Sequence, residues 1–241
     1  MVVGATSAMA EHCARLWAAN KPVEMTLIGR NAEKMERIVT DLGVRSPGSE
    51  FHVVVADLLD PGAIRTTVDA IAARGVIDVA LIAHGSLPDQ KACEADLALA
   101  REAMEVNALS PALWAEAIAG HMATSEHGTL GIIGSVAGDR GRRSNYVYGA
   151  AKGLVTRYAQ GLQHRFAGKG VKVVLIKPGP TATPMTASLG MKGLAPVEDV
   201  AKAIVAGMAR GAPVVYAPVK WWLIMMIIRH LPRFVFNKMN I

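Results

Sequence analysis

Seven apolar runs of strand length recur along this chain of 241 residues, and the segments between them have the periodicity of helices. The runs predict strands at 1–4, 23–29, 51–56, 77–83, 129–134, 171–177 and 213–216. Regular alternation of strand and helix, without an internal repeat, is typical of a parallel doubly wound sheet with helices on both faces. We therefore expect a single α/β domain over residues 1–216.

Chemically distinctive residues stand where these predicted strands end. They are Gly4, Arg30, Asp57, Gly85, Ser135 and Pro178. Ligands of doubly wound sheets bind in the crevice outside the carboxyl ends of the strands. The sequence therefore predicts one site at this edge of the sheet.

A serine closes the fifth predicted strand, and a tyrosine and a lysine follow near the start of a predicted helix: Ser135, Tyr148 and Lys152. The i, i+4 spacing stacks Tyr148 and Lys152 on one helix face. An ammonium ~4 Å away, at an effective dielectric of ~20, would lower the tyrosine pKa from ~10 by roughly three units. Tyr148 would then protonate a carbonyl oxygen that also accepts a hydrogen bond from Ser135. A surface lysine beside a half-buried tyrosine is the alternative.

The amino terminus predicts a dinucleotide site. Val2 and Val3 lead into GATSAMA at 4–10, and a helix-like stretch follows. A strand, a small-residue turn and a helix N-terminus in that order present backbone N–H groups and the helix dipole to a pyrophosphate. The residues expected there are Gly4, Thr6, Ser7, Ala8 and Met9. The pattern is weak alone, since only Gly4 of a three-glycine fingerprint remains.

Residues after the second and third predicted strands concern the adenosine half of the cofactor. Arg30 stands where an NAD-preferring protein more often has an acidic residue, so it favours a 2′-phosphate and hence NADPH over NADH. A solvated arginine at a helix start is the alternative. Asp57 and Leu58 follow the third strand and are placed to hold the adenine edge.

In these motifs the chain resembles the short-chain dehydrogenase/reductase family from end to end. The matching segments are GATSAMA at 4–10, ADL at 56–58, AHG at 83–85, NALSP at 107–111, YGAAK at 148–152 and PGPTATPM at 178–185. The resemblance implies a Rossmann-type fold and an NAD(P)-dependent oxidoreductase that interconverts a ketone and an alcohol. It also implies a catalytic tetrad of Asn107, Ser135, Tyr148 and Lys152, in which Asn107 would hold a helix kink and a proton-relaying water.

The same resemblance extends the cofactor site and marks departures from the family pattern. The residues that it adds to the cofactor site are Ala83, Gly85, Tyr148, Lys152, Pro178, Gly179, Thr181 and Thr183. Ala8 and Ala10 replace the second and third glycines, so two added methyls are expected where the backbone meets the pyrophosphate. His84 departs from the family's usual NAG, and we expect it to line the cofactor pocket or simply to pack.

Composition limits the other possibilities. Cys13 and Cys93 are too few and too scattered for a disulfide framework or a zinc site, so we expect no metal and a reducing, cytoplasmic location. The chain opens directly on strand residues with no visible signal peptide, and the short first run suggests a true start upstream. The net charge is +6, but aromatic and basic residues do not interleave across a face, so no nucleic-acid partner is expected.

Three arginines lie between the predicted catalytic serine and tyrosine: Arg140, Arg142 and Arg143. In this fold the loop that carries them forms part of the substrate wall. These cations are therefore candidates for binding an anionic group of the substrate, such as a phosphate. An exposed basic loop, or ion pairs at an oligomer interface, are the alternatives.

Residues 217–241 form a C-terminal extension in which Pro218 and Pro232 bracket an apolar helix. Its uninterrupted apolar run, 221–228, is far short of the ~20 residues that span a bilayer. A helix that is apolar nearly all round must be buried against the protein body, a partner subunit or a membrane interface. Tryptophans beside basic residues suit docking on anionic lipid at the inner face of the cell membrane. A lid, or a contact within a homo-oligomer, is the alternative.

The arginine loop and the extension sharpen the resemblance within the family. They are similar to reductases of polyprenyl-phosphate-linked keto-sugars, which work after a flavin-dependent oxidase partner and give an arabinose-type product. The resemblance thus implies a lipid-linked sugar as substrate. A soluble 3-oxoacyl or small-ketone reductase is the first alternative, and a non-catalytic dinucleotide-binding regulator the second. The intact tetrad argues against the regulator.

Overall fold

One parallel sheet runs through the computed structural model, which describes residues 1–187, 190 and 192–239. Among these residues its seven strands lie in the order β3-β2-β1-β4-β5-β6-β7. Their bounds are β1 Val2–Val3, β2 Glu24–Gly29, β3 Glu50–Val55, β4 Val79–Ile82, β5 Gly128–Ile133, β6 Val171–Pro178 and β7 Val214–Ala217. The predicted single-domain, doubly wound α/β fold is confirmed, and the strand order reverses between β1 and β4, where such sheets open a crevice for ligands.

Helices cover both faces of the sheet. One face carries α1 Ala8–Asn20, α2 Ala32–Arg45 and α8 Val197–Arg210. The other carries α3 Pro61–Ala72, α6 Ser110–Ser125 and α7 Tyr146–Arg165. The remaining helices are α4 Gln90–Ala95 and α5 Leu97–Met104 before α6, and α9 Lys220–His230 and α10 Arg233–Phe236 after β7.

Alternation along the strands divides the core into two layers. In β1, Val2 packs among the residues of the α1, α2 and α8 face, and Val3 packs on the opposite face. Successive side chains of a strand point to opposite faces, so even a two-residue central strand contributes to both layers. Trp114 and Ile118 of α6 are fully buried on the second face. Burial on both faces explains why the strands read as continuous apolar runs rather than as alternating ones.

Short polar residues fix where several helices begin. Asn31, Asp60, Asp89 and Asp96 each accept a hydrogen bond from a backbone N–H in the first turn of the helix that follows. Such N-caps satisfy donors that have no partner within the helix. The caps at Asn31 and Asp60 lie just after β2 and β3, so they set the loops that face the ligand crevice.

The C-terminal extension continues from β7 into α9 and α10, and its last two residues lie outside the described part. Helix α9 packs against β7 and against the turn that follows β5. Within the described residues, each helix is too short or too polar to cross a bilayer.

Candidate active site

The glycine turn after β1 lies directly against the end of β4. Gly4 has a φ of +75°, which favours glycine, and its N–H donates to the carbonyl oxygen of Ile28 at 2.8 Å. A Cβ added to Gly4 would lie 2.5 Å from the backbone nitrogen of His84. The position therefore has no room for a side chain, and the chain turns sharply from β1 into α1.

The N-terminus of α1 fits the pyrophosphate of a dinucleotide. Ser7 is the N-cap residue, but its side chain makes no hydrogen bond to the first turn, so the N–H groups there lack a side-chain cap. Thr6 is exposed beside them, and Ala8 and Met9 are half-buried. Uncapped N–H groups and the positive end of the helix dipole favour an anion at this place.

The methyl groups of Ala8 and Ala10 were both expected to lie where the backbone meets the pyrophosphate. For Ala10 this expectation is wrong. Ala10 is fully buried in the core beneath α1, so its methyl packs among Cys13 and Ala14 rather than toward the turn. Only Ala8 remains at the surface where the backbone would approach a phosphate. The third glycine of the usual fingerprint serves close packing of helix and strand, and an alanine fills that role here.

The residues predicted for the adenosine half lie around the ends of β2 and β3. Arg30 is exposed immediately after β2. Asp57 is also exposed, and its Oδ1 accepts a hydrogen bond from the backbone N–H of Leu59 at 2.9 Å. The carbonyl oxygen of buried Leu58 accepts from Ser110 Oγ at 2.5 Å and from Trp114 Nε1 at 3.2 Å. These bonds tie the loop after β3 to α6.

His84 is excluded as a catalytic base. Ser110 donates its hydroxyl proton to Leu58, so its oxygen must accept from His84 Nε2, 2.7 Å away. This fixes the neutral tautomer that carries its proton on Nε2. Burial, reinforced by the cations of Lys152 and Arg30, lowers the pKa of His84 to about 3. The ring therefore stays neutral and packs beside the cofactor crevice, as expected.

Ser135, Tyr148 and Lys152 come together where β5 ends and α7 begins. Ser135 follows the last residues of β5, its Oγ accepts a hydrogen bond from the backbone N–H of Ala137 at 3.1 Å, and it lies close enough to Tyr148 to act on the pKa of the phenol. Lys152, one helical turn further along α7, is buried and its Nζ donates to the carbonyl oxygen of Ile133 at 3.1 Å. The Nζ lies 5.8 Å from the centroid of the Tyr148 ring.

The electrostatics of Tyr148 differ from the expectation that Lys152 lowers its pKa. Burial raises the pKa of Tyr148 above its ordinary value, and the opposing influences are the Ser135 hydrogen bond and the Arg142 cation. Burial also lowers the pKa of Lys152 to about 8. The reason is that desolvation disfavours both charged forms. Tyr148 is thus held in its protonated form, which is the form that donates a proton to a carbonyl oxygen.

Asn107 lies in a π-helical turn, Glu105–Leu109, inserted between α5 and α6. Its Oδ1 accepts from the backbone N–H of Ser86 at 2.9 Å, and its Nδ2 donates to the carbonyl oxygen of Ala103 at 2.9 Å. A Cβ added to Gly85 would meet Asn107 Oδ1 at 2.9 Å and Lys152 Nζ at 3.6 Å. Asn107 and Lys152 therefore face each other across Gly85, and π-turns of this kind recur at functional sites.

The loop after β6 folds back on itself beneath the extension. Thr181 Oγ1 donates to the carbonyl oxygen of Gly179 at 2.9 Å, and Thr186 Oγ1 donates to that of Thr181 at 2.6 Å. Pro178 and Thr181 are buried, and Thr183 is half-buried. A Cβ added to Gly179 would lie 1.8 Å from Nε1 of Trp221, the second residue of α9. Glycine is required here because the indole lies directly on the backbone.

The three arginines of the loop have different surroundings. The Nη1 of Arg140 donates to the carbonyl oxygens of Ile228, at 2.5 Å, and Leu231, at 2.7 Å, and its guanidinium lies 3.8 Å from the centroid of the Phe236 ring. Arg142 is partly buried within electrostatic reach of Tyr148, and Arg143 is exposed. Arg140 thus binds the C-terminus of α9, whereas Arg142 acts on the site through its charge.

A buried ionic cluster at this edge escaped the sequence analysis. Lys177, at the end of β6, forms an ion pair with Asp139, in the 3₁₀ turn Val136–Asp139 after Ser135. The hydroxyl of Tyr216 donates to the second carboxylate oxygen of Asp139 at 2.8 Å. Lys177, which follows the apolar run 173–176 directly before Pro178, is the sequence signal that could have indicated it. The cluster joins three elements: the loop that begins at Gly179 after β6, called the cofactor loop below; the turn Val136–Asp139, called the serine turn; and β7.

The comparisons with known proteins agree with this geometry. The family model described as short chain dehydrogenase matches residues 1–192. An uncharacterized oxidoreductase of Streptomyces coelicolor is 30% identical over 99% of this chain and 94% of its own length. An uncharacterized oxidoreductase of Mycobacterium tuberculosis is 32% identical over 99% and 96%.

Solved structures of low sequence identity share the fold. A short-chain dehydrogenase from Sphingobium yanoikuyae in complex with NADPH has a TM-score of 0.83 at 19% identity, covering 100% of this chain and 95% of that one. A short-chain type dehydrogenase/reductase from Mycobacterium ulcerans has a TM-score of 0.82 at 19% identity, covering 99% and 97%.

Proposed function

The chain belongs to the short-chain dehydrogenase/reductase family and is an NAD(P)-dependent oxidoreductase, and from this premise we propose that it reduces a ketone to a secondary alcohol. The observation that carries the proposal is the geometry after β5, where Tyr148 lies beside Ser135 and the buried Nζ of Lys152 lies 5.8 Å from the centroid of the tyrosine ring. A protonated phenol is ready to donate to a carbonyl oxygen. It would have to lose its proton first to act in the oxidative direction.

The chain's own residues have separate roles in this proposal. A reduced nicotinamide held at this edge of the sheet would supply the hydride for the carbonyl carbon. Ser135 donates a hydrogen bond that positions the carbonyl oxygen, and Tyr148 gives that oxygen its proton. The cation of Lys152 lies one helical turn away and stabilises the phenolate left behind. Asn107, facing Lys152 across Gly85, supports the return of a proton to the tyrosine.

We propose NADPH rather than NADH as the cofactor. Arg30 is exposed directly after β2, beside the crevice at which the strand order reverses. A guanidinium there suits a 2′-phosphate, and an acidic residue would suit the two free ribose hydroxyls. The uncapped N-terminus of α1 would hold the pyrophosphate.

For the substrate we propose a keto-sugar carried on a polyprenyl phosphate. Residues 139–148 and the extension resemble the reductase partner of decaprenylphosphoryl-ribose 2-epimerase, which acts after a flavin-dependent oxidase. Arg142, next to Tyr148, and exposed Arg143 supply cations for the phosphate. With such a substrate the protein would work in the cytoplasm at the inner face of the cell membrane, together with an oxidase of that kind.

We also propose that the protein forms a homo-oligomer through α6 and α7. Leu113 of α6 and Leu154 of α7 are large apolar side chains exposed on this helix pair. Between the two helices, a shallow depression contains Glu116, whose carboxylate accepts hydrogen bonds from Tyr158 and Arg165. An apolar surface of this kind, with a polar rim, is typical of an interface.

The test of the substrate is turnover with two ketones, followed by the absorbance of the reduced nicotinamide. One is a 2-keto-pentose linked to a polyprenyl phosphate, and the other is a water-soluble ketone of similar size. We expect the lipid-linked sugar to give the higher kcat/KM, and Arg142→Gln to lower that value by a larger factor than it lowers the kcat/KM for the soluble ketone. Good turnover of the soluble ketone alone would identify a small-ketone reductase instead.

A further inference from the structure

Helix α9 has two apolar faces, and the protein body covers only one of them. Its inner face packs on β7 and the cofactor loop through Trp221, Ile224, Met225 and Ile228. Its outer face, with the residues flanking it, is exposed and comprises Val219, Trp222, Leu223, Met226, Ile227 and Phe234. Leu223 and Ile227 lie one helical turn apart and are 59% and 58% exposed. A contiguous apolar surface of this kind indicates an interaction site.

The charged side chains that flank this outer face along the chain are all basic. Asp199 is the last acidic residue of the sequence, so residues 200–241 contain no aspartate or glutamate. Lys220 lies at the start of α9, and exposed Arg233 and Lys238 follow its end. The occupant of this surface must therefore tolerate or prefer several cations around an apolar centre.

A second copy of the chain does not meet this requirement. A two-fold interface brings the same patch of both subunits together, so basic residues would face basic residues with no acidic partner. An anionic lipid surface does meet it, because apolar side chains enter the acyl boundary while lysine and arginine contact the headgroups. Trp222 suits the interface, since indole rings prefer the depth of the headgroups.

We propose that the outer face of α9 is a docking surface for anionic lipid bilayers. This inference rests on and deepens the proposed function, because it places the reductase where a lipid-linked substrate resides. The helix is about 16 Å long, and it lies parallel to the surface rather than across the bilayer. The proposed contact consists of the exposed residues of the outer face, from Val219 before the helix to Phe234 beyond it.

The contacts of α9 place the bound bilayer beside the catalytic crevice. At one end the indole of Trp221 lies on Gly179 in the cofactor loop. At the other end Arg140, next to the turn that follows Ser135, binds the carbonyl oxygens of Ile228 and Leu231. Both ends of the helix are thus fixed to elements of the active site. Docking would therefore hold a lipid-linked keto group on the side of the protein that carries the active-site loops, while its apolar chain stays in the bilayer.

The experiment is co-sedimentation of the full-length protein with vesicles of phosphatidylcholine, with and without phosphatidylglycerol. We expect binding to the anionic vesicles that weakens in high salt, and a loss of about tenfold or more in the Leu223→Glu/Ile227→Glu variant. The matched control is Val44→Glu/Val76→Glu, whose side chains are 79% and 59% exposed away from the extension and which should bind like the wild type.

Two results would overturn the proposal. One is that the wild type does not sediment with anionic vesicles, and the other is that both double variants lose binding equally. Light scattering identifies the competing occupant: if the α9 variant only breaks an oligomer, the surface binds a second copy and not lipid. Turnover of a soluble ketone is measured on the same samples. That turnover does not need the bilayer. If the wild type does not reduce the soluble ketone, the proposed reduction is contradicted, whereas docking is not.

Discussion

Lys177 and Asp139 form an ion pair in the protein interior, where their side chains are only 5% and 2% exposed. The pair connects the last residues of β6, just before Gly179, with the turn that begins at Ser135. Tyr216 adds a hydrogen bond to the same carboxylate. A buried pair stabilises only while both partners are present, because either charge alone would be left desolvated. The relative position of the cofactor loop and the serine turn depends on this contact.

Replacing only one partner of this pair should be costly. In Lys177→Met the Asp139 carboxylate remains buried without its cation, and we expect the free energy of unfolding to fall by about 3–5 kcal/mol. In the double variant Asp139→Asn/Lys177→Met no charge is left unpaired, so most of that loss should be recovered. Urea unfolding of the wild type, both single variants and the double variant measures the coupling. Losses that simply add would show that the two residues are not coupled.

Trp221 explains why Gly179 must be a glycine. The added methyl of Gly179→Ala would overlap the indole, so we expect a loss of about 1–3 kcal/mol in the free energy of unfolding. Trp221→Leu removes the ring, and in the double variant the alanine should cost much less. Gly43→Ala is the control, because a Cβ there meets nothing within 4 Å and alanine favours helix α2. An equal loss with and without the indole would refute the contact.

The fold, and the placement of Tyr148 and Lys152 on one helix face, could be predicted because they depend on local patterns. The buried strands carry continuous apolar runs, and Tyr148 and Lys152 lie one turn apart on a single helix. The short first strand was also predicted, since Gly4 ends it at once. These features could be predicted because periodicity and spacing along the chain determine them.

Features that depend on distant parts of the chain could not be predicted. Arg140 was expected to bind substrate, yet its partners are carbonyl groups about ninety residues later, in the extension. The pKa of Tyr148 was expected to be lowered, because the spacing indicates the nearby lysine but not the burial of both groups. Lys177 and Asp139 are far apart in the sequence, so only the packed structure reveals their pairing.

Arg30 should determine the preference between the two nicotinamide cofactors. We expect Arg30→Glu to lower the ratio of kcat/KM for NADPH over NADH by about 10- to 100-fold, which corresponds to the ~1.5–3 kcal/mol of a hydrogen bond to a charged group. Arg37→Glu, an exposed cation on α2, is the control for the change in overall charge. A ratio that both variants leave unchanged would show that Arg30 does not contact the 2′-phosphate.

The buried ammonium of Lys152 should give stability a distinct pH dependence. Its pKa in the folded protein is about 8, below the ordinary 10.5, so the folded state loses the proton first as pH rises. The unfolded chain binds more protons between these values, and stability therefore increases with pH across this window. The free energy of unfolding of the wild type, minus that of Lys152→Met, should increase by about 3 kcal/mol between pH 8 and 10.5. Urea unfolding measures both free energies. If the difference between the wild type and Lys152→Met does not change with pH, the ammonium is not desolvated.

The proton-donating role of Tyr148 is tested most directly by Tyr148→Phe, assayed for ketone reduction by the absorbance of reduced nicotinamide. The substitution removes the phenolic proton and leaves the ring that packs beside Lys152. We predict that kcat falls by a factor of about 10²–10⁴, while the dissociation constant of NADPH, followed by fluorescence, changes far less because the ring remains in place. Reduction at the wild-type rate by this variant would contradict the assignment of Tyr148 as the proton donor.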